Sequence, residues 1–186
     1  MADNTTDNTT NTTNTTIKTT INTTNQTKNT TSKPINIINF NTKTIDDESI
    51  TSDIFKDYKI TMINIWATWC GPCVAEMPEL SKLYDELPEG SNLIGIVIDS
   101  ADESAKQDAI NILSRYSIKY KNLIPDIDIA NYVNKNIGGI PTSIFVDKDG
   151  NIIGDPQMGA PSKKGNGDIV LGYKKLIEER ILVVSD

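Results

Sequence analysis

The sequence predicts an α/β fold in which a mixed central β-sheet carries helices on both faces. Apolar runs with strand character alternate with segments of helical periodicity through the middle of the chain. A hairpin signal and an amphipathic segment follow near the C-terminus, so the sheet is expected to contain antiparallel as well as parallel pairs. Alternating strands and helices that end in a hairpin indicate a mixed sheet between two helical layers.

The first half of the domain is predicted to contain a hairpin, a strand, a helix and a second strand. Residues 35–44 and 50–51 form the hairpin, and residues 60–67 form the first central strand. The helix over residues 73–87 has apolar residues at helical spacing and ends at a Pro-Glu-Gly sequence. The run at residues 93–99 is continuously apolar, as expected for a strand covered on both faces.

The second half alternates helices and strands before it ends in a hairpin and a helix. Its short middle helix is closed by Gly138 and Gly139. Its hairpin turns at Asp149-Gly150, a turn signal between two apolar runs. The predicted elements of this half are helix 102–116, strand 122–124, helix 129–136, strands 143–147 and 152–153, and helix 168–183.

The chain divides into a polar N-terminal segment and one domain. Of its 186 residues, the first 33 include fifteen Thr and seven Asn and few apolar side chains. Such a segment cannot bury enough apolar surface to offset its chain entropy, so we predict a disordered spacer over residues 1–33. Residues 34–186 have the ordinary length of a single domain.

The charge and hydropathy of the chain exclude several partners. Its net charge is −7, which argues against binding to nucleic acid and against adhesion to anionic lipid. No segment reaches eighteen consecutive apolar residues, so no transmembrane helix is predicted. The first residues lack the basic and then apolar layout of a signal peptide, and a chain complete as given would be cytoplasmic.

Cys70 and Cys73 are the only cysteines, and they lie at the predicted junction of a strand and a helix. At a helix N-terminus, unpaired N–H groups and the helix dipole favour an anion, which lowers the pKa of a thiol there. Residues three apart share a helix face, so Cys73 can attack a mixed disulfide formed at Cys70. Pro72 suits the first helical turn, where its missing N–H costs nothing. The pair therefore indicates a dithiol that closes to a disulfide and releases a reduced substrate.

The sequence disfavours three other interpretations of the cysteine pair. A structural disulfide is disfavoured because so short a loop restricts the unfolded chain little. A structural zinc site would need two more ligands, and the chain has no other Cys and no His. A peroxiredoxin-like peroxidase shares the overall fold but sets its reactive Cys in a Pro-x-x-x-Thr/Ser-x-x-Cys loop with an Arg partner. Ala67 stands where that Thr or Ser belongs, and Arg115 and Arg180 are the only arginines.

The stretch Asn64-Ile-Trp-Ala-Thr-Trp-Cys-Gly-Pro-Cys-Val-Ala-Glu-Met-Pro-Glu-Leu80 resembles the active-site segment of the TlpA/ResA-like thiol-disulfide oxidoreductases of the thioredoxin-fold superfamily. Asn64 stands where thioredoxins carry a buried Asp, and Glu76 lies in a Glu-Met-Pro-Glu-Leu run typical of this family. An extra helix and strand after residue 99 match the size of the family's central insert. The resemblance covers residues 35–186 and implies a thioredoxin-like fold with an N-terminal β-hairpin.

The resemblance also assigns roles to a second motif, Gly139-Ile140-Pro141-Thr142. In the thioredoxin fold this Pro is cis and lies against the active-site disulfide. A cis X-Pro bond is a minority state that tertiary contacts must hold. The resemblance implies that Ile140 presents its backbone N–H and C=O to an extended substrate. Without the cysteine pair, the motif would be an ordinary turn before a strand.

The expected site follows from these motifs. Cys70 is the attacking thiolate, Cys73 the resolving thiol and Glu76 a carboxylate that moves the proton of Cys73. Burial beside a thiolate would raise the pKa of Glu76. The alternative for Glu76 is a solvated position stabilised by the helix dipole. Trp66 is expected in the core. The expected substrate-binding residues are Trp69, Gly71, Pro72, Ile140, Pro141 and Thr142.

The resemblance implies a monomeric, extracytoplasmic enzyme, tethered or secreted in a prokaryote, whose native signal or anchor is missing from this chain. The Gly-Pro pair between the cysteines matches thioredoxin, whose potential of about −270 mV makes it a reductant, so reduction of disulfides is expected. No cofactor or metal is expected beyond the redox-active disulfide. The family's partners are apo-cytochrome c, other oxidised envelope proteins and a membrane electron donor. The second hypothesis is a non-catalytic module that binds peptides on the Ile140-Pro141 platform. The two cysteines argue against it, because a module that only binds peptides does not need them.

Overall fold

The structure is a computed structural model that describes residues 38–161 and 167–184. The predicted spacer, residues 1–33, lies outside the described residues, as do residues 34–37, which include the start of the predicted hairpin at residue 35. The strands are β1 (Asn41–Lys43), β2 (Ser49–Thr51), β3 (Ile60–Trp66), β4 (Ser91–Val97), β5 (Asn122–Leu123), β6 (Thr142–Asp147) and β7 (Gln157–Met158). The helices are α1 (Gly71–Asp85), α2 (Glu103–Arg115), α3 (Ile127–Asn136) and α4 (Ile169–Val184), and a short 3-10 helix spans Ser52–Asp57.

The central sheet is mixed, with the strand order β5-β4-β3-β6-β7. β3, β4 and β5 run parallel, whereas β6 is antiparallel to β3 and β7 is antiparallel to β6. The carboxyl end of β3 leads directly toward α1, and the amino end of β6 lies beside it. The sheet therefore brings the cysteine segment and the Gly-Ile-Pro-Thr motif to the same edge.

The side chains of β3 alternate between two hydrophobic core clusters, as the pleat of a strand requires. Met62 and Trp66 belong to one cluster, which α1 and α4 complete. Ile63 and Ile65 belong to the other, which α3 completes from the opposite face. Every residue of β3 is buried, because helices cover both faces of the sheet. The predicted fold class is confirmed, and Trp66 is a core residue with no exposed surface.

The N-terminal hairpin and the central insert are both present. β1 and β2 pair antiparallel as a separate two-stranded sheet. The backbone N–H of Asn41 donates to the carboxylate of Asp126, which attaches the hairpin to the start of α3. The insert consists of α2, whose N-cap Asp102 accepts from the N–H of Ala105 at 3.0 Å, and β5, which extends the sheet beyond β4.

Two predictions about α3 are wrong. α3 begins at Ile127, two residues earlier than predicted, because Asp126 caps it through the N–H of Ile129. The helix is not closed by glycine: Ile137 follows it in an extended conformation, and neither Gly138 nor Gly139 has a positive φ.

The return arm of the C-terminal hairpin, predicted as a strand over residues 152–153, also differs from the prediction. It contacts β6 at only one bridge, between Val146 and Ile152. Gly154, at φ +72°, then redirects the chain, and β7 pairs with Thr142 and Ser143. β7 was not predicted, since a two-residue strand carries no periodicity.

In the described part of the chain, no helix has the length and apolar character needed to cross a bilayer.

Candidate active site

Cys70 and Cys73 lie where β3 gives way to α1, and a disulfide bond joins them. Cys70 is the N-cap residue of α1, and its Sγ accepts a hydrogen bond of 3.2 Å from the backbone N–H of Cys73. Cys70 is 5% exposed and Cys73 1%. The sulfur of Cys70 thus occupies the position where a helix binds an anion, while Cys73 is enclosed by the core.

An exposed rim surrounds the two buried sulfurs. Trp69 is 71% exposed although it directly precedes Cys70. Gly71 and Pro72, the first residues of α1, are also exposed, and no atom lies within 4 Å of where a Cβ on Gly71 would be. A polypeptide can therefore approach the disulfide from the N-terminal end of α1.

The turn before Cys70 is held by Asp99, which the sequence predicts only as the last residue of a strand. The carboxylate of Asp99 accepts from the backbone N–H of Thr68 at 3.1 Å and from its hydroxyl at 2.6 Å. The backbone N–H of Cys70 donates to Ala67 at 3.1 Å. The sequence feature that could have indicated this role of Asp99 is its position just past the carboxyl end of β4, the strand next to β3.

The Gly-Ile-Pro-Thr motif lies beside the cysteine segment. The Ile140–Pro141 peptide bond is cis, as expected from the resemblance. Thr142 pairs with Ile65 in the sheet, so Pro141 lies next to the last residues of β3. The hydroxyl of Thr142 donates to Gly139 at 2.6 Å, and its side chain is buried. Thr142 thus binds the backbone of its own loop.

Ile140 leaves its backbone polar groups available. Neither its N–H nor its C=O forms a hydrogen bond to another of the described residues. The neighbouring carbonyl of Pro141, by contrast, accepts from Gly159 at 2.8 Å. The half-buried side chain of Ile140 packs against the core cluster that contains both cysteines. An extended segment at this place can pair with Ile140 as an added strand would.

Glu76 is buried in the first turns of α1, so the interpretation as a solvated surface residue is wrong. It is 3% exposed, and the hydroxyl of Tyr173 donates to its Oε1. Its Oε2 has no hydrogen-bond partner among the described residues. Burial raises the pKa of Glu76 above its ordinary value, and the hydrogen bond from Tyr173 opposes that rise.

Tyr173 belongs to a network of buried, hydrogen-bonded side chains that the sequence did not predict. Its hydroxyl also accepts from Ser143 on β6 at 3.4 Å, and Asn64 on β3 donates to Ser143 at 3.3 Å. Tyr173 lies on α4, 97 residues from Glu76 in the chain. No local pattern marks such a contact; only the packing of α4 against the sheet creates it.

Within residues 38–161 and 167–184, no cluster of His, Cys, Asp or Glu has the arrangement of a metal site. The reactive groups of the site are therefore the two sulfurs, the Glu76 carboxylate and the free backbone groups of Ile140.

Comparison with known proteins agrees with this arrangement. A family model described as Redoxin matches residues 13–168. The thiol-disulfide oxidoreductase ResA of Bacillus thuringiensis subsp. konkukian (strain 97-27) is 34% identical over 118 residues, which is 62% of this chain and 64% of that protein. The chain thus matches less than two thirds of the length of that relative.

Two further proteins resemble the chain. The thioredoxin-like protein YneN of Bacillus subtilis (strain 168) is 32% identical over 127 residues, 68% of this chain and 71% of that protein. The crystal structure of a thiol:disulfide interchange protein from Chlorobium tepidum TLS covers 81% of this chain and 98% of its own, with a TM-score of 0.63 and 22% identity. The last comparison shows the fold, which is that of thioredoxin. The chain belongs to the Redoxin family and, within it, to the TlpA/ResA-like proteins.

Proposed function

We propose that this protein is a thiol-disulfide oxidoreductase that reduces disulfide bonds of protein substrates. The observation that carries the proposal is the Cys70–Cys73 disulfide at the start of α1, with Sγ of Cys70 as the helix cap. The names of the ResA relatives support it. The disulfide serves as the redox group, and no further cofactor enters the scheme.

The reaction exchanges one disulfide for another. In the reduced protein, the Cys70 thiolate attacks a substrate disulfide, an Sγ–S bond forms, and one substrate sulfur leaves as a thiolate. Cys73, as a thiolate, then attacks Sγ of Cys70, which releases the second substrate sulfur. Two electrons pass from the enzyme thiols to the substrate, the proton of Cys73 ends on one substrate sulfur, and the other substrate thiolate takes its proton from water. Burial of Cys73 limits its direct attack on substrates and fits the resolving role.

Glu76 is proposed as the group that takes the proton of Cys73. It lies one helical turn after Cys73, and both side chains are buried. Asn64 on β3 cannot serve as a base, because an amide does not accept a proton at neutral pH. A buried carboxylate with a raised pKa is suited to exchange a proton with a thiol.

The substrate platform is proposed on both sides of the disulfide. Ile140 offers backbone N–H and C=O, while Pro141 and Thr142 fix the shape of the loop. The exposed residues Trp69, Gly71 and Pro72 supply the part of the platform that lies next to the cysteines in the chain. Backbone pairing does not depend on substrate side chains, which suits an enzyme with several protein substrates.

The remaining proposals concern the setting of the enzyme. We place it outside the cytoplasm, as a monomeric domain of residues 34–186 on a spacer. Oxidised envelope proteins such as apo-cytochrome c are the proposed substrates, and a membrane thiol reductase is the proposed electron donor. The family resemblance supports these assignments.

The test is reduction of insulin in the presence of dithiothreitol. We expect the wild-type protein to accelerate insulin precipitation, and Cys70→Ser or prior alkylation of both cysteines to abolish the acceleration. Lack of acceleration by the wild type would contradict the proposal and favour the peptide-binding module. Consumption of dithiothreitol with hydrogen peroxide but not with insulin would favour a peroxidase instead.

A further inference from the structure

The two oxygens of the Glu76 carboxylate have different surroundings. Oε1 accepts the hydroxyl proton of Tyr173, whereas Oε2 is buried with no partner in the described part of the chain. Buried polar atoms in folded proteins are nearly always paired, so an unpaired one calls for an explanation. An oxygen that receives a proton during the reaction provides one.

The hydroxyl oxygen of Tyr173 also accepts a hydrogen bond, at the end of a series of buried side chains. Asn64 on β3 donates to Ser143 on β6 at 3.3 Å, and Ser143 donates to the Tyr173 hydroxyl oxygen at 3.4 Å. Tyr173 then donates to Glu76 on α1. All four side chains are buried, and every donor in the series points toward the carboxylate. Successive hydrogen bonds in one direction polarise each other, so the Tyr173 hydroxyl is a stronger donor than an isolated one.

We propose that Tyr173 is a positioning residue for Glu76, fixing Oε1 so that Oε2 is the oxygen that takes the proton from Cys73. This inference rests on the proposed function. The Cys73 S–H bond breaks, an O–H bond forms at Oε2, and the electron pair left on sulfur attacks Sγ of Cys70. The proton then passes from Oε2 to the departing substrate thiolate, which returns Glu76 to its ionised form.

Ionisable side chains act on Glu76 from three parts of the described chain. Cys73 lies on its own helix, Tyr173 donates to it from α4, and Tyr120 interacts with it electrostatically from the segment before β5. Burial and the charge of Glu76 raise the pKa values of both tyrosines, so both stay protonated at neutral pH. The hydroxyl of Tyr120 contacts Sδ of Met77 at 3.6 Å. Tyr120 is therefore a matched control: a buried hydroxyl near Glu76 that is hydrogen-bonded elsewhere.

The experiment titrates Glu76 directly in the oxidised protein. Infrared difference spectra with ¹³C-labelled Glu follow its carboxyl stretch, and Glu76→Gln identifies the band. We expect Tyr173→Phe to raise the pKa of Glu76 by about one pH unit or more, since a hydrogen bond to the charged form is lost. Tyr120→Phe should leave it within about 0.3 unit. Ser143→Ala should raise it by a smaller amount and serves if Tyr173→Phe does not fold.

A Glu76 titration that is unchanged in both Tyr173→Phe and Ser143→Ala would overturn the inference, and so would equal shifts in Tyr173→Phe and Tyr120→Phe. The dithiol reaction gives a second readout: its pH–rate profile in Tyr173→Phe should move upward with the carboxyl titration. The infrared result does not depend on turnover. Failure of insulin reduction would therefore count against the proposed function, whereas failure of the titration would count against Tyr173 alone.

Discussion

The indole N–H of Trp66 donates a 3.0 Å hydrogen bond to Oδ1 of Asn122, which joins the central strand β3 to β5 of the insert across the intervening strand β4. The amide N–H of Asn122 in turn donates to the carbonyl of Tyr120 at 3.0 Å. The bond passes over Gly95 on β4, the residue that pairs with Asn122. A Cβ on Gly95 would lie 1.9 Å from Oδ1 of Asn122, so only glycine leaves room for this bond.

Gly95→Ala should therefore destabilise the domain. The added methyl group must displace the Asn122 amide and leave buried donors unpaired, and we expect a loss of about 2–4 kcal/mol in unfolding free energy. Urea denaturation measures it. Gly71→Ala, where the added Cβ meets nothing within 4 Å, is the control and should change stability by less than about 0.5 kcal/mol. When Asn122 is already replaced by Ala, Gly95→Ala should reduce the unfolding free energy much less. An equal reduction with and without Asn122→Ala would show that the added methyl group clashes with a residue other than Asn122.

In the reduced protein, we expect the pKa of Cys70 to lie below that of an ordinary thiol and the pKa of Cys73 to lie above it. Sγ of Cys70 is in the N-cap position and receives an N–H, whereas Cys73 is enclosed by apolar side chains. Alkylation rate against pH, measured in Cys73→Ser and Cys70→Ser, reports each thiol alone. Faster alkylation of Cys73 at neutral pH would reverse the assignment of attacking and resolving residues.

Cys73→Ser should accumulate a mixed disulfide between Cys70 and a protein substrate. The first exchange is intact in this variant, but the thiol that would release the substrate is absent. Non-reducing electrophoresis followed by mass spectrometry identifies the conjugates. Cys70→Ser is the matched control, and equal trapping by both variants would show that the conjugates form without the proposed order of attack.

Much of this site could be predicted because its signals are local. A cysteine pair at the end of an apolar strand and the start of an amphipathic helix indicates both its position and its chemistry. The same holds for the cis Ile140–Pro141 bond once the family motif is noted. Strands β3, β4, β5 and β6 of the central sheet were predicted from their apolar runs, and their ends differ from the prediction by one or two residues.

The contacts that Glu76 and Thr68 make with residues distant in the chain could not be predicted from local sequence patterns. Tyr173 reads as one more apolar position of an amphipathic helix, and its partnership with Glu76 arises only when α4 packs on the sheet. Asp99 reads as the end of a strand, and its bonds to Thr68 depend on the register of β4 against β3. β7 exists through its pairing with β6 rather than through its own sequence.

The stability of the folded domain should depend on pH through Glu76. Burial raises the pKa of Glu76 above 4.5, so the folded state holds this proton to a higher pH than the unfolded chain does. Where the folded state binds more protons, stability falls as pH rises. The contribution of protonated Glu76 is therefore complete below the unfolded pKa and is lost as pH rises through the folded pKa.

Glu76→Gln removes this titration while nearly preserving the shape of the side chain. We expect the variant to gain stability relative to wild type as pH rises through that window, by about 1.4 kcal/mol for each unit by which the folded pKa is raised. Urea denaturation at a series of pH values measures the difference. Glu79→Gln, which removes a half-exposed carboxylate from the same helix, is the matched control. A constant difference for Glu76→Gln would mean that folding does not raise the pKa of Glu76, and the proton of Cys73 would then have to pass to water.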